Sequence, residues 1–217
     1  MGGGEAPLYE NHDIDVYYLW PCFGNFWWAE QSVFGLNCMN LFKKPYILEL
    51  GCSDGFFAAN IYLNVKDAKY VGCDMVETAI LDARIRSNRR RNNESNAVGR
   101  FIVADFLRDM PCENEPLTNV FWFASIYMFS EAEQNQILLE VSKRLKKRAG
   151  ILSGSALLKD VLKEKYWKYW VKLFDDENEL RILLLKYFRN VYIGKTSTEF
   201  SVFFMASDGE LPYYNKR

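Results

Sequence analysis

The sequence is poor in the residues that build metal sites and disulfide frameworks. It contains one histidine, His12, and five cysteines, and no two cysteines form a Cys-x-x-Cys pair. An odd number of widely spaced cysteines with a single histidine does not supply the ligand set of a structural zinc site. We therefore expect no metal, and we expect the thiols to stay reduced in a cytoplasmic protein.

Long apolar runs and an excess of one charge are also missing. No segment reaches the roughly 18 apolar residues of a membrane-spanning helix, so no membrane partner is expected. Lys and Arg number 27 and Asp and Glu number 28, whereas proteins that bind along phosphate backbones are usually more basic. The one basic run, within residues 84–91, lacks the interleaved aromatic residues that stack on bases. These features disfavour a nucleic-acid partner.

What the sequence does contain is an alternation of short apolar runs and amphipathic segments. The predicted strands cover residues 46–50, 69–73, 101–104, 120–124, 150–155, 191–195 and 200–205. The predicted helices cover residues 56–64, 77–88, a segment after the capping box Ser130–Glu133, 158–174 and 177–188. Such alternation predicts parallel strands with helices on both faces. The last two strands are too close in sequence to be parallel, so we expect an α/β fold with a mixed sheet and an antiparallel C-terminal hairpin.

Small and acidic residues follow the first three predicted strands. In an open α/β sheet the ligand binds outside the carboxyl ends of the strands. The loop from Glu49 to Gly55 has small residues on which a ligand can lie, and the helix after it offers free N–H groups to an anion. Asp74 can accept both hydroxyls of a ribose, and Asp105 can accept from an exocyclic amine. In order, these positions describe an adenosine with a charged tail.

Other interpretations of these residues remain open. Asp74 can be a plain helix N-cap and Asp105 a plain turn residue. A dinucleotide-binding oxidoreductase is the main rival fold, but it needs Gly-x-Gly-x-x-Gly. Here Ser53 stands at the second glycine position and Phe56 at the third. Phe56 would crowd the close packing of helix and strand that the third glycine permits, so we disfavour that fold.

Four segments resemble the motifs of class I S-adenosylmethionine-dependent methyltransferases of the small-molecule type. Residues 47–55 (ILELGCSDG) resemble the first motif, 71–74 (VGCD) the second and 104–106 (ADF) the third. Residues 123–130 (FASIYMFS), followed by a helix and then 144–150 (RLKKRAG), are similar to the family's fourth strand and the passage after it. The resemblance covers roughly residues 45–206, and it implies a Rossmann-like, seven-stranded sheet. Ser53 departs from the family's usual glycine, and Asn119 departs from the acidic residue that commonly opens the fourth strand.

The resemblance also implies the cofactor, S-adenosylmethionine, and the residues that bind it. It assigns the methionine part to Glu49, Gly51 and Ser53, the ribose to Asp74, and the adenine to Asp105 and Phe106. It places Ser125 on the sulfonium side. The cofactor-binding residues implied by position are Glu49, Gly51, Cys52, Ser53, Asp74, Met75, Asp105, Phe106 and Ser125.

The function that the resemblance implies is methyl transfer to an oxygen or nitrogen of a small-molecule acceptor. The alternatives are an RNA or protein methyltransferase and a non-catalytic S-adenosylmethionine-binding protein. We assign no catalytic residue, because methyl transfer needs no obligatory signature, and His12 lies in a polar stretch typical of solvated histidines. The acceptor and the oligomeric state are not fixed by the sequence.

Aromatic residues are concentrated before the first strand. We interpret residues 1–44 as an N-terminal aromatic extension and 45–217 as the cofactor-binding domain. Residues 12–36 are predicted to form a lid with Tyr17, Tyr18 and Trp20 facing the ligand and Trp27, Trp28 or Phe34 packing on the domain. The alternative is a helix on the outer flank of the sheet. Tyr127, just past the fourth strand, is predicted to contact the acceptor or to be an ordinary aromatic at the sheet rim.

Overall fold

The structure is a computed structural model that describes residues 30, 33–39, 42–58, 65, 67–90, 98–113, 115–146, 149–159, 170–196 and 201–211. Its strands are β1 (Tyr46–Leu50), β2 (Lys69–Asp74), β3 (Val98–Val103), β4 (Asn119–Trp122), β5 (Ile151–Leu157), β6 (Asn190–Lys195) and β7 (Ser201–Ser207). Its longer helices are α1 (Glu77–Arg90), α2 (Glu131–Lys146) and α3 (Glu177–Leu185). Residues 33–39 and 56–58 are also helical, and Ile126–Met128 form one 3₁₀ turn.

The seven strands form one sheet in the order β3-β2-β1-β4-β5-β7-β6. Strands β3, β2, β1, β4 and β5 are parallel, and β7 is antiparallel to both β5 and β6. The predicted α/β class, mixed sheet and C-terminal hairpin are therefore confirmed. The chain order reverses at β1, so the carboxyl ends of β1 and β4 flank the switch point where open α/β sheets bind ligands.

Helices cover both faces of the sheet. On one face, α2 and α3 bury apolar residues such as Leu138 and Leu184 against Leu48 and Trp122 of the sheet. On the other face, α1 and the helical residues 33–39 and 56–58 pack in a cluster that includes Phe121. Both faces of the central strands are buried, which explains why those strands read as continuous apolar runs.

Two predicted helix starts are confirmed by their caps. At α2, the Ser130 N–H donates to Glu133 Oε2 at 2.8 Å and the Glu133 N–H donates to Ser130 Oγ at 3.4 Å, so the capping box is formed. At α3, Asp176 accepts the Glu179 N–H at 2.8 Å, which selects Asp176 over Asp175 as the cap.

The predicted helix over residues 158–174 is wrong at both of its described ends. Leu158 and Phe174 form a parallel bridge, and residues 170–174 are not helical. The Lys159 N–H donates to the Phe174 carbonyl at 2.8 Å, and the Phe174 N–H donates to the Leu157 carbonyl at 3.3 Å. These backbone bonds extend the edge of β5, and they replace the helical bonds that the spacing of apolar residues suggested. Residues 160–169 lie outside the described residues.

The helical residues 33–39 pack on the sheet in the same apolar cluster as α1. Phe34 stacks on Phe203 of β7, with ring centroids 4.8 Å apart. Asn119 fixes the end of this helix, because its side-chain amide donates to the Cys38 carbonyl at 3.2 Å and accepts from Thr118 Oγ1 at 2.8 Å. This described part of the N-terminal extension therefore lies on the flank of the sheet. The predicted lid contacts of Tyr17, Tyr18, Trp20, Trp27 and Trp28 lie outside the described residues.

Candidate functional site

The loop after β1 turns sharply at the carboxyl edge of the sheet. Gly51 and Gly55 both have φ of +71°, which only glycine adopts at little cost. A Cβ atom on Gly51 would lie 2.8 Å from Ser125 Oγ, and one on Gly55 would lie 2.9 Å from the Ala83 Cβ. The loop is tied to β2, because the Gly51 and Cys52 N–H groups donate to the Cys73 carbonyl at 2.9 and 3.0 Å. Its backbone therefore has no room for larger residues.

Asp74 joins this loop to the start of α1. Its Oδ2 accepts the Ser53 N–H and its Oδ1 accepts the Val76 N–H, each at 3.0 Å. The side chain is buried, with 8% exposed. Each carboxylate oxygen has a second lone pair, so a ligand hydroxyl can still donate to it. Asp74 is not the N-cap of α1, because the helix begins at Glu77 and Asp74 accepts the N–H of Val76 in the turn before it. The ribose contact stays a prediction.

Glu49 lies near the end of β1, just before the loop, and is almost fully buried. Its Oε2 accepts a hydrogen bond from the Tyr70 hydroxyl on β2. Burial raises the pKa of Glu49 from 4.5 to about 8, while the Tyr70 hydrogen bond opposes that rise and the Asp74 and Asp54 carboxylates add to it. Among the described residues, no lysine or arginine forms an ion pair with Glu49. A cationic group of a ligand would supply the missing opposite charge.

The end of β3 carries the third acidic residue. Asp105 Oδ1 accepts the Leu107 N–H at 3.1 Å, and Oδ2 pairs with Arg108 Nε at 3.2 Å. Phe106 turns away into the core and contacts Phe129, with ring centroids 5.2 Å apart. Met75, directly after Asp74, has 59% of its surface exposed, so an apolar side chain stands free beside the carboxylate.

The turn after β4 closes the other side of the switch point. Ser125 Oγ donates to the Leu50 carbonyl at 3.3 Å, which places Ser125 directly against the loop after β1. Tyr127 is 2% exposed, and its ring meets the edge of Trp170 at a centroid distance of 4.7 Å. Its carbonyl accepts the N–H groups of Val171 and Lys172, both at 3.1 Å. In this structure Tyr127 packs in the core, and a contact with the acceptor stays a prediction.

Cys52 faces the sheet rather than the loop surface. The residue is 4% exposed, and a Cβ on Gly72 would lie 2.8 Å from Cys52 Sγ. Burial raises the pKa of this thiol, so it stays neutral. Cys52 can therefore meet a ligand only through its backbone.

Sequence reasoning missed two residues that shape this site. Tyr70 reaches Glu49 from the neighbouring strand, and Arg86 of α1 donates to the Asp54 carbonyl at 3.1 Å and pairs with its carboxylate. Asp54 in turn accepts the Phe56 N–H at 3.2 Å. Tyr70 sits two residues before Gly72, which is opposite Glu49 in the strand register, so the period of a strand could have placed it on the face of Glu49. No sequence signal links Arg86 to Asp54.

Metal and membrane features are absent from the part of the chain that the structure describes. There, no group of three or more His, Cys, Asp or Glu side chains could hold a metal ion. No helix of that part is both long and apolar enough to cross a membrane.

A family model described as "Methyltransferase domain" matches residues 47–148, which span β1 to the end of α2. Residues 47–148 therefore carry a methyltransferase domain. The match includes the loop after β1, Asp74, Asp105 and the turn after β4. Among curated proteins, none matches this chain.

Solved methyltransferase structures share the fold. The N-methyltransferase NodS from Bradyrhizobium japonicum WM9, in complex with S-adenosyl-L-homocysteine, has a TM-score of 0.61 and 15% identity, over 84% of this chain and 87% of its own. Magnesium protoporphyrin IX methyltransferase (ChlM) from Synechocystis PCC 6803 with bound SAM has a TM-score of 0.59 and 14% identity, over 82% and 77%. The small RNA methyltransferase HEN1 has a TM-score of 0.68 and 12% identity, over 82% of this chain and 25% of its own. At these identities the likeness establishes the fold of the methyltransferase domain.

Proposed function

We propose that this protein transfers a methyl group from S-adenosylmethionine to a nitrogen or oxygen atom of a small-molecule acceptor. The observation that carries the proposal is the row of carboxylates Glu49, Asp74 and Asp105 at the carboxyl ends of β1, β2 and β3. They lie beside a loop whose two glycines have φ of +71° and allow it to turn sharply against Ser125 and Ala83.

The residues fit the chemical groups of S-adenosylmethionine in sequence across the sheet. Asp74 offers acceptors to the ribose hydroxyls, and Asp105 offers one to the exocyclic amine of adenine. Met75 gives an apolar surface for the ring. The buried Glu49 carboxyl, which lacks a cation among the described residues, suits the ammonium of the methionine part. Gly51, Ser53 and the backbone of Cys52 are proposed to line that part, and Ser125 the sulfonium side.

The chemistry is an in-line displacement, for which the bound cofactor supplies an electrophilic methyl group. The task of the protein is to orient the acceptor on the line of the carbon–sulfur bond and to exclude water. Ser125 and the 3₁₀ turn after it border the space where the acceptor must lie. Gln134 holds that turn, because its side-chain amide donates to the carbonyls of Ile126 and Phe129 at 2.9 and 3.1 Å. No general base is assigned.

The N-terminal extension is proposed to contribute to the acceptor side. Its described residues 33–39 are anchored on the sheet by Phe34 and Cys38. We propose that the aromatic residues before them, including Tyr17, Tyr18 and Trp20, form a lid over the cofactor. Limited proteolysis with and without S-adenosylhomocysteine tests this, since a lid becomes protected by ligand, and equal cleavage rates would show that it is not one.

A transfer assay with labelled methyl groups separates the acceptor classes. The protein is incubated with methyl-labelled S-adenosylmethionine and, separately, with a small-metabolite extract, total RNA or total protein from cells, and Asp74→Ala serves as the inactive control. Label in small molecules is the expected result. Label in RNA would favour the function of the structural neighbour HEN1. Cofactor binding without transfer to any pool would favour a non-catalytic binding protein.

We also propose that the protein is located in the cytoplasm.

A further inference from the structure

Tyr70 and Glu49 meet across two neighbouring parallel strands. In the register of β1 and β2, Ile47 is opposite Tyr70 and Glu49 is opposite Gly72. Residues two apart in a strand point to the same face, so Tyr70 and Gly72 share the face of Glu49. Gly72 has no side chain, and Cys52 and Phe101 occupy the space where its Cβ would lie. The Tyr70 hydroxyl donates to Glu49 Oε2. Both residues are buried, at 1% and 4% exposure.

Among the residues that the structure describes, none supplies a counter-ion to Glu49. Asp74 and Asp54 carry like charge, and both raise the pKa of Glu49. The Cys52 and Cys73 thiols are held neutral by burial, which raises the pKa of each. Arg86 is taken by Asp54. Within the described part of the chain, the Tyr70 hydroxyl is therefore the group whose hydrogen bond favours the charged form of Glu49.

We propose that Tyr70 is a positioning residue whose hydroxyl holds Glu49, oriented and ready to ionise, for the ammonium group of the cofactor. The proposal rests on the proposed function and adds a residue to its site. Tyr70 acts only through Glu49. Removal of its hydroxyl therefore lowers the affinity for ligands that carry an ammonium group and leaves the affinity for ligands without one unchanged. It also shifts the pH at which Glu49 ionises upward, because a hydrogen bond to the charged form is lost.

The test compares two ligands on the full chain. S-adenosylhomocysteine carries the amino-acid tail, and methylthioadenosine keeps the adenosine without it. Affinities are measured by calorimetry between about pH 6 and about pH 9, a range that spans the ionisation of Glu49. The variants are Tyr70→Phe, Glu49→Gln, the double variant, and Tyr187→Phe. The last is the matched control, because its hydroxyl donates to Asn135 of α2 at 2.7 Å and makes no hydrogen bond to Glu49. The ligand amine also titrates, so the pH profile of the affinity of each protein is divided by the profile of Glu49→Gln.

We expect Tyr70→Phe to weaken S-adenosylhomocysteine about tenfold at neutral pH, as for a lost hydrogen bond to a charged group. Binding of methylthioadenosine should stay within about twofold, and the normalised profile should move upward by about one pH unit. In the double variant, Tyr70→Phe should cause no further loss of affinity beyond that of Glu49→Gln alone. Glu49→Asp, which withdraws the carboxylate from the hydroxyl, should give the same selective loss and serves if Tyr70→Phe does not fold.

Two results would overturn the proposal in distinguishable ways. If Tyr70→Phe and Glu49→Asp weaken both ligands equally with an unmoved pH profile, Tyr70 has a packing role only, and the proposed function stands. If the wild-type protein binds neither ligand, the proposed function fails and the role of Tyr70 fails with it.

Discussion

The carboxylate of Asp74 accepts the backbone N–H of Ser53 at 3.0 Å, so the end of β2 holds the loop that follows β1. The same carboxylate accepts the Val76 N–H at the start of α1. A residue proposed to bind ribose is thus also part of the scaffold, and a substitution there must change both stability and affinity.

Asp74→Ala is expected to lower the free energy of unfolding by about 2–4 kcal/mol, because two partly buried backbone N–H groups lose a charged acceptor. It should also raise the Kd for S-adenosylhomocysteine at least about tenfold. Urea denaturation and calorimetry measure the two effects. Asp82→Ala, on the exposed face of α1, is the control and should change neither. A folded Asp74→Ala protein with unchanged affinity would remove the ribose assignment.

Glu49 makes the stability of the protein depend on pH. Its pKa is about 8 in the folded chain and 4.5 when unperturbed, so its stabilising contribution is complete below about pH 4.5 and is lost as the pH rises towards 8. Between those values the unfolded chain ionises while the folded chain keeps the proton. The free energy of unfolding should fall by at most about 1.4 kcal/mol per pH unit.

Glu49→Gln cannot ionise and should flatten that dependence. Urea denaturation at several values between about pH 5 and about pH 8 compares the two proteins, and the variant should become relatively more stable as the pH rises. Parallel curves for wild type and variant would mean that Glu49 is ionised in the folded protein across this range.

Asn119→Asp tests the anchor of the N-terminal helix. The amide of Asn119 is fully buried and both donates and accepts, whereas a carboxylate can only accept. We expect a loss of about 2–4 kcal/mol in the free energy of unfolding. Asn190→Asp is a matched control at a partly exposed site, where the amide donates to the Gly209 carbonyl at 2.8 Å. Equal losses for the two variants would contradict the role given to Asn119.

Ser53→Gly is expected to stabilise the protein. Ser53 has φ of +47°, a left-handed conformation that costs a side-chain-bearing residue about 1 kcal/mol. Relief of that strain should exceed the added freedom of glycine in the unfolded chain. Ser142→Gly, in the middle of α2, should instead destabilise by about 1 kcal/mol. Thermal melts compare the Tm of both variants with that of the wild type. A fall in Tm for Ser53→Gly would contradict the claim that the Ser53 backbone is strained.

The positions that sequence reasoning found are those where one residue type has a local consequence. Apolar runs ending in glycine or aspartate located β1 and β2, and the capping box located α2, because turns and caps are made by neighbours in sequence. The departure at Ser53 was visible as a residue standing where glycine is usual, and the structure shows its positive φ there.

The features that sequence reasoning missed depend on contacts between distant residues. The bridge from Leu158 to Phe174 was predicted as a helix, because apolar spacing does not reveal which strand edge receives the backbone bonds. The Tyr70 and Arg86 contacts join residues 21 and 32 positions apart and follow from strand register and helix docking. The positions of Glu49, Asp74 and Asp105 near the carboxyl ends of β1, β2 and β3, in contrast, were predictable because each follows an apolar run in the sequence. Their contacts with a ligand stay a prediction.

Calorimetric titration of the wild-type protein with S-adenosylhomocysteine, methylthioadenosine and NAD tests the central claim most directly. The arrangement of Glu49, Asp74 and Asp105 predicts saturable binding of S-adenosylhomocysteine, weaker binding of methylthioadenosine because it lacks the charged tail, and no binding of NAD, since the loop after β1 lacks the second and third glycines of a pyrophosphate site. Binding of NAD without binding of S-adenosylhomocysteine would contradict the account.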